Sequence, residues 1–222
     1  MKKVSNYPRF IDIKLTEQEA NMDFTEIKNN LEKLGYKVSC FETAKEATEY
    51  IDSQIDGSTV GFGGSVTLKE MGLYEKLETH NKVTWHWIVP EGKTDGDMRA
   101  ESRDAKVYIS SVNGIAETGE IINIDGTCNR VAEIFYGHEK VFLVAGVNKI
   151  ADDYDAALYR ARNIAAPLNA KRLNMKTPCA VKADKCYNCN SPQRICRGLS
   201  VLWDKPMGGE FEVVLINEKL GY

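Results

Sequence analysis

Long apolar stretches are missing from these 222 residues, and none approaches the ~20 residues a helix needs to cross a bilayer. A helical membrane span is not expected. The first ten residues, Met-Lys-Lys-Val-Ser-Asn-Tyr-Pro-Arg-Phe, carry basic side chains without the apolar core of an export signal, so the expected location is the cytoplasm. A surplus of positive charge is also missing. With 29 Lys and Arg against 32 Asp and Glu, the formal net charge is −3, which gives no electrostatic basis for a nucleic-acid or membrane partner. There is no internal repeat, low-complexity tract or long linker to divide the chain.

Histidine is scarce. His80, His86 and His138 show no ligand spacing with one another or with the cysteines, and all three read as structural or surface residues. His86 sits between Trp85 and Trp87 and is expected to face away from them on a strand. Cysteine is not scarce. Cys179, Cys186, Cys189 and Cys196 follow a symmetric C-x6-C-x2-C-x6-C spacing within polar sequence. Thiols two residues apart can meet one ion from a tight turn, and the outer pair can fold back to complete four-sulfur coordination. A stretch this polar buries little apolar surface, so something other than a core is expected to order it. Four readings stand: a 4Fe-4S cluster, a zinc ion, paired disulfides, or free thiols in a surface loop. Cys40 and Cys128 read as packed small residues.

The rest of the chain alternates between helix and strand. Apolar residues at three- and four-residue steps predict a helix over 17–35 (Ala20, Phe24, Ile27, Leu31, Leu34), and Thr43 with Glu46 predicts a capping box opening a second one. Strands are expected over 37–41, 58–62, 82–89 and 106–111. A hairpin is expected at 115–124, turning at Thr118-Gly119. Residues 140–145 are fully apolar between turn residues, as in a central buried strand, and 209–216 predict a last strand. Further helices are expected over 68–77, 95–105, 129–136, and from Asp152 or Asp153 toward Pro167. The fold class is α/β: a mostly parallel sheet with helices on both faces, interrupted by one antiparallel hairpin.

Loops after strands carry the candidate chemistry. Gly63, Gly64, Ser65 and Thr67 join a buried strand to a helix, where glycines admit close backbone approach and hydroxyls add donors to an anion. This loop lacks the Gly-Lys-Ser/Thr of a nucleotide-phosphate loop and the Gly-x-Gly-x-x-Gly of dinucleotide sites, and a tight structural turn capped by Ser65 is the other reading. Asp125, Asn129 and Arg130 open a second helix; Arg130 either grips a phosphate or carboxylate or is solvated beside an Asp or Thr cap. Glu117 at the hairpin, and Asn148 and Lys149 past the buried strand, stand where open α/β sheets place ligand-contacting loops. All these groups are expected to converge on one cleft, with Glu117 as base or nucleophile, or as a solvated turn residue.

Four segments together resemble the LUD (lactate utilisation) domain family, from about residue 15 to the C-terminus: Val60-Gly-Phe-Gly-Gly-Ser-Val-Thr-Leu-Lys-Glu-Met-Gly-Leu73, Ser111-Val-Asn-Gly-Ile-Ala-Glu-Thr-Gly-Glu120, Asp125-Gly-Thr-Cys-Asn-Arg130 and Val144-Ala-Gly-Val-Asn-Lys149. The four-cysteine ending resembles one branch of it. The resemblance implies a fold similar to the ribose-5-phosphate isomerase and CoA-transferase superfamily, with Gly63, Gly64, Ser65 and Thr67 at the phosphate- or CoA-holding loop. Glu117 is the nearest counterpart of the transferase glutamate, in flanking sequence that departs from that pattern. It implies a LUD-like core over 1–176, a cysteine-rich metal-binding segment over 177–198, and a returning C-terminal strand over 199–222. It also implies an accessory or redox subunit of L-lactate (2-hydroxy acid) oxidation beside iron–sulfur partner proteins, with a small carboxylate or phosphate as ligand. The alternative is an isomerase, transferase or hydrolase of a phosphorylated or CoA-linked substrate, or a non-catalytic binding protein. A homo-oligomer is open to such a chain.

Overall fold

The computed structural model describes residues 22–222; residues 17–21 of the expected first helix, Ala20 among them, lie outside these. Helix α1 spans Thr25–Lys33 and buries Ile27 and Leu31, one turn apart. Strand β1 follows at Lys37–Phe41 and helix α2 at Ala44–Ser53. Thr43 accepts from the Glu46 N–H while the Glu46 carboxylate accepts from the Thr43 N–H, so the capping box forms as its spacing predicts. Strand β2 is Thr59–Phe62. The single helix expected next is two, α3 (Val66–Glu70) and α4 (Leu73–Leu77), because Gly72 between them adopts φ +64, a left-handed conformation that breaks the helix.

Strand β3 covers only Lys82–Trp85, four residues short of the expected end, since the chain turns back with the Ile88 N–H on the Trp85 carbonyl. Helix α5 (Asp95–Arg103) and strand β4 (Val107–Ser111) follow. The hairpin β5 (Gly114–Ala116) and β6 (Ile121–Asp125) is antiparallel as expected. Then come α6 (Asn129–Phe135), β7 (Lys140–Gly146), β8 (Ile150–Ala151) and α7 (Tyr154–Arg160), capped by Asp153. The helix does not stop at Pro167. A π turn over Ala161–Ala165 leads into α8 (Ala166–Arg172), and this widened turn accommodates a proline that lacks an N–H for the preceding turn. A short α9 (Pro178–Lys182), strand β9 (Gly198–Leu202) and strand β10 (Glu210–Ile216) complete the described chain.

Six strands form one wholly parallel sheet in the order β1-β10-β7-β4-β2-β3. The hairpin does not interrupt it. It leaves the sheet and pairs with β8 and with β9, a strand not anticipated from sequence, in a second sheet ordered β8-β5-β6-β9. Both faces of the main sheet are covered. Val141, Leu143 and Ala145 of β7 pack with Phe211, Val213 and Leu215 of β10 against α1, α6 and the second sheet. Phe142, Val144, Val214 and Ile216 face α2, α3 and α4 on the other side. The outer face of the second sheet takes Ala157 of α7 and Ala161 of the π turn. Among the described residues no helix is long and apolar enough to cross a membrane.

The alternation makes β7 the centre of both cores, and Leu143 is fully buried there. Leu143→Ala should cost about 2–5 kcal/mol through lost burial and a residual cavity. Urea unfolding should show a lower midpoint at unchanged slope.

Candidate functional site

Strands β2, β4 and β7 run parallel, so the loops that follow them open on one edge of the sheet. Gly64, Ser65 and Thr67 come from the first, Ser111 and Asn113 from the second, and Lys149 from the third. With Asp125, Asn129 and Arg130 after β6, they line one cavity of about 430 Å³, closed further by Ala165, Ala166, Arg172 and the terminal Gly221-Tyr222. That volume is in the ordinary range for a small-molecule site.

Lys149 forms the floor. It is 2% exposed; its Nζ donates to Thr67 Oγ1 at 2.8 Å and reaches Ser111 Oγ at 3.4 Å. Thr67 in turn donates to the Leu220 carbonyl, and Ser65 donates to Ser111 Oγ at 2.7 Å while capping α3 through the Leu68 N–H. No carboxylate among the described residues lies within ion-pair distance of the Lys149 amine. Burial, and then the positive charges of Arg160 and Arg130, hold its pKa well below the usual lysine range against a lesser opposing pull from Glu70. Arg160 donates to the Asn148 and Asn113 carbonyls, and burial brings its own pKa down to about 10.

Arg130 corrects both sequence readings. It is neither a free ligand clamp nor solvated. Its Nη1 donates to the Ser111 carbonyl and Asn123 Oδ1, its Nη2 donates to Asn113 Oδ1 and the Ile124 carbonyl, and its Nε stands 3.4 Å from Asp125 Oδ2. The guanidinium thereby staples the end of β4 to β6. Asp125 Oδ1 accepts from the Gly126 and Cys128 N–H groups, fixing the turn into α6. Asn129 accepts from Arg99, which also pairs with Asp95. The lining thus holds four basic side chains (Arg99, Arg130, Lys149, Arg172) and two acidic ones (Asp95, Asp125), and both acids pair with arginines. Among the described residues, Lys149 and Arg172 are left without an acid.

Three expected residues do not line the cavity. At Gly63, a Cβ would come within 2.6 Å of Ser110 Oγ, so this glycine serves close packing between β2 and β4. The Asn148 amide is bonded to the C-terminal stretch, accepting from the Leu220 N–H at 3.0 Å and donating to the Gly221 carbonyl at 3.3 Å. Glu117 stands at the outer turn of the hairpin, its N–H on the Ala151 carbonyl and its own carbonyl bonded by Asn30 of α1. The hairpin leaves the main sheet, and its turn goes with it.

Sequence reasoning missed His86, Trp87, Arg172 and Tyr222 at the cavity mouth. Because β3 ends at Trp85, His86 and Trp87 turn over Gly64 instead of continuing a strand, which corrects the reading of His86 as a strand residue. Burial first, then Arg99, lowers the His86 pKa. Arg172 lies 4.8 Å over the Trp87 ring, and its Nε donates to the Tyr222 hydroxyl at 2.8 Å. His80 and His138 remain structural: the first meets Asp52 and Asp56, the second is buried between Glu133 and the Ala105 carbonyl.

The four spaced cysteines line a single small hollow with Arg162, Thr177, Arg194 and Ile195. Thr177 caps α9 and meets Cys179 Sγ at 3.2 Å; the Asn188 N–H points at Cys186 Sγ at 3.3 Å, and Arg194 Nε at Cys196 Sγ at 3.2 Å. All four thiols are free. Among the described residues no group of three or more His, Cys, Asp or Glu is already gathered as a metal-ion site, so the thiols share a hollow without a ready coordination sphere. The donor set nonetheless fits a four-thiolate centre: N–H donors point at two sulfurs, and an arginine lies beside them to offset thiolate charge. Ala166 and Ile195 line both this hollow and the main cavity. Cys40, expected to be packed, is exposed on edge strand β1, and Cys128 is partly buried.

The family model described as the LUD domain matches residues 24–216. No curated protein matches the chain. Among solved structures, the chain is similar to a DUF162 family protein from Deinococcus radiodurans at 10% identity, over 86% of this chain and 94% of that one, with a TM-score of 0.49. Ribose 5-phosphate isomerase from Plasmodium falciparum is similar at 13% identity over 49% of this chain and 52% of that one, TM-score 0.30. For eIF2B beta from Chaetomium thermophilum the values are 12%, 50%, 44% and 0.36.

Arg130→Met should strand Asp125 and leave two asparagines and two carbonyls without their donor. Breaking such a buried set costs about 3–5 kcal/mol. Chemical denaturation should show that loss; a change below about 1 kcal/mol would mean the staple is dispensable.

Proposed function

The chain belongs to the LUD domain family, its family model covering residues 24–216, and on that footing we propose that it is an accessory or redox subunit of L-lactate (2-hydroxy acid) utilisation. It binds a small carboxylate or phosphate in the cavity and carries a metal centre on Cys179, Cys186, Cys189 and Cys196. The observation that carries the binding half is the pair of basic lining side chains that meet no acid among the described residues, Lys149 at the floor and Arg172 at the mouth. An anion entering there meets the Arg172 charge and favours protonation of Lys149 in a place sheltered from water, where Coulomb attraction is strong. Gly64, Ser65, Thr67 and Asn129 shape the wall, and Asp125 and Arg130 hold it in place.

The four thiolates would hold the metal. A 4Fe-4S cluster supplies one-electron chemistry when bound, whereas zinc acts as a staple. The wall of Ala166 and Ile195 common to both hollows supports the redox reading, because it sets the cysteines directly behind the ligand cavity. Iron–sulfur partner proteins of lactate oxidation would then exchange electrons with this chain. A second reading is favoured by the volume of about 430 Å³, which exceeds what a three-carbon acid fills: a phosphorylated or CoA-linked ligand, with a structural metal.

Two tests follow. Because burial and the neighbouring arginines hold Lys149 well below its usual range, an anion beside it raises its pKa and binding takes up a proton. Affinity for lactate or phosphate, measured by calorimetry, should be highest at low pH. It should fall by up to about tenfold per pH unit as pH rises through the interval between the free and bound values. A flat profile would remove Lys149 from the ligand. For the metal, anaerobically purified protein should carry iron or zinc, and Cys186→Ser should release it, costing roughly 10 kcal/mol of site stability in small metal sites. Protein with neither metal above trace would refute the metal centre.

A further inference from the structure

We propose that the Lys149 amine is a nucleophile that condenses with the carbonyl of a 2-oxo acid, forming an imine at the floor of the cavity. The inference rests on the reading of that cavity as a carboxylate site and names the ligand class more narrowly.

The neighbours of the amine are the observation that points this way. A lysine kept for its charge is ordinarily matched by a carboxylate when buried. Here Nζ meets two hydroxyls, Thr67 Oγ1 at 2.8 Å and Ser111 Oγ at 3.4 Å, and two buried arginines, Arg130 and Arg160, add positive potential around it. Those surroundings favour the neutral amine, and a neutral amine has the free lone pair that carbonyl addition requires. The Thr67 hydroxyl donates onward to the Leu220 carbonyl, so it accepts from Nζ and leaves the nitrogen lone pair unengaged on that side.

A second basic side chain lines the same cavity. Arg172 lies over Trp87 at the same cavity, bonded to Asn169 and Tyr222 and to no acid among the described residues. With the cavity read as a carboxylate site, a ligand that also brings a carbonyl to Lys149 is an oxo acid, and the 2-oxo acids of that class are the two-electron oxidation products of 2-hydroxy acids. The alcohol itself has no carbonyl and cannot condense.

The step balances without a redox partner. The nitrogen lone pair attacks the carbonyl carbon, and the C–O π pair moves to oxygen. That oxygen takes a proton from nitrogen, with the Ser111 hydroxyl in position to relay it. One proton from solvent then converts the hydroxyl into departing water, and the C=N bond forms. The net change is amine plus ketone plus one proton giving iminium plus water. The iminium again places positive charge beside the ligand carboxylate.

The test incubates the full chain with pyruvate and sodium cyanoborohydride, which reduces iminium, followed by intact mass and peptide mapping. Trp fluorescence is titrated with pyruvate in parallel. The expected result is one reduced pyruvyl group per chain, mapped to Lys149, absent with lactate and absent in Lys149→Arg. Mapping in the unsubstituted protein stands even if that variant misfolds. A fluorescence change on pyruvate without an adduct overturns the imine and leaves the carboxylate site intact. No fluorescence change and no adduct overturns both. Adducts scattered over surface lysines, unaltered in Lys149→Arg, overturn the imine as well.

Discussion

A lysine amine taken out of water, with no acid to meet it among the described residues, is the constraint around which this molecule is arranged. Lys149 sits just past β7, a strand shared by both cores, so the backbone that carries it follows directly from a strand packed on both faces. Its partners are hydroxyls that arrive from other strands: Thr67 from the loop after β2 and Ser111 from the end of β4. Holding three loops at this separation takes further buried charge. Arg130 ties the end of β4 to β6, and Arg160 of α7 grips the carbonyls of Asn113 and Asn148. Arg160 is satisfied by carbonyls and Arg130 by carbonyls, amides and the Asp125 carboxylate, so both are held in place beside the cavity without closing it.

The π turn over Ala161–Ala165 connects this cavity to the cysteines. Asn163 accepts from the Cys186 N–H, and Arg162 donates to Asn188, the left-handed residue between Cys186 and Cys189. The same helical run places Ala165 and Ala166 in the cavity wall. Widened turns of this kind recur at functional sites because they aim side chains that a regular helix would misdirect. The cavity and the cysteine hollow thus lie on opposite sides of one helical run and share Ala166 and Ile195 as a wall.

Local signals carried much of the fold. The run at 140–145 was legible as a central strand because burial on both faces leaves no polar position, and the Thr43–Glu46 box was legible because it needs four residues only. The four cysteines line one hollow, as their spacing allows, but among the described residues they are not gathered as an ion site. What failed depended on tertiary placement. Pro167 reads as a stop unless the π turn before it is known, and with α8 lost, Arg172 was lost too. Glu117 has the position of an edge residue in one sheet, but the hairpin belongs to another. Arg130 reads as a surface cation until Asn113, Asn123 and the β-strand carbonyls surround it. His86 alternates as a strand residue should, and only the early end of β3 turns it toward Gly64.

Direct titration of the lysine side chains tests the central claim. With 13C-labelled lysine, NMR should find one ε-carbon that titrates well below all the others, and assignment by Lys149→Arg should identify it. Lactate or phosphate at saturation should move that midpoint upward while the exposed lysines stay where they are. If every lysine titrates together in the ordinary range without added ligand, Lys149 carries full charge, and the account of the site built on its neutral amine fails.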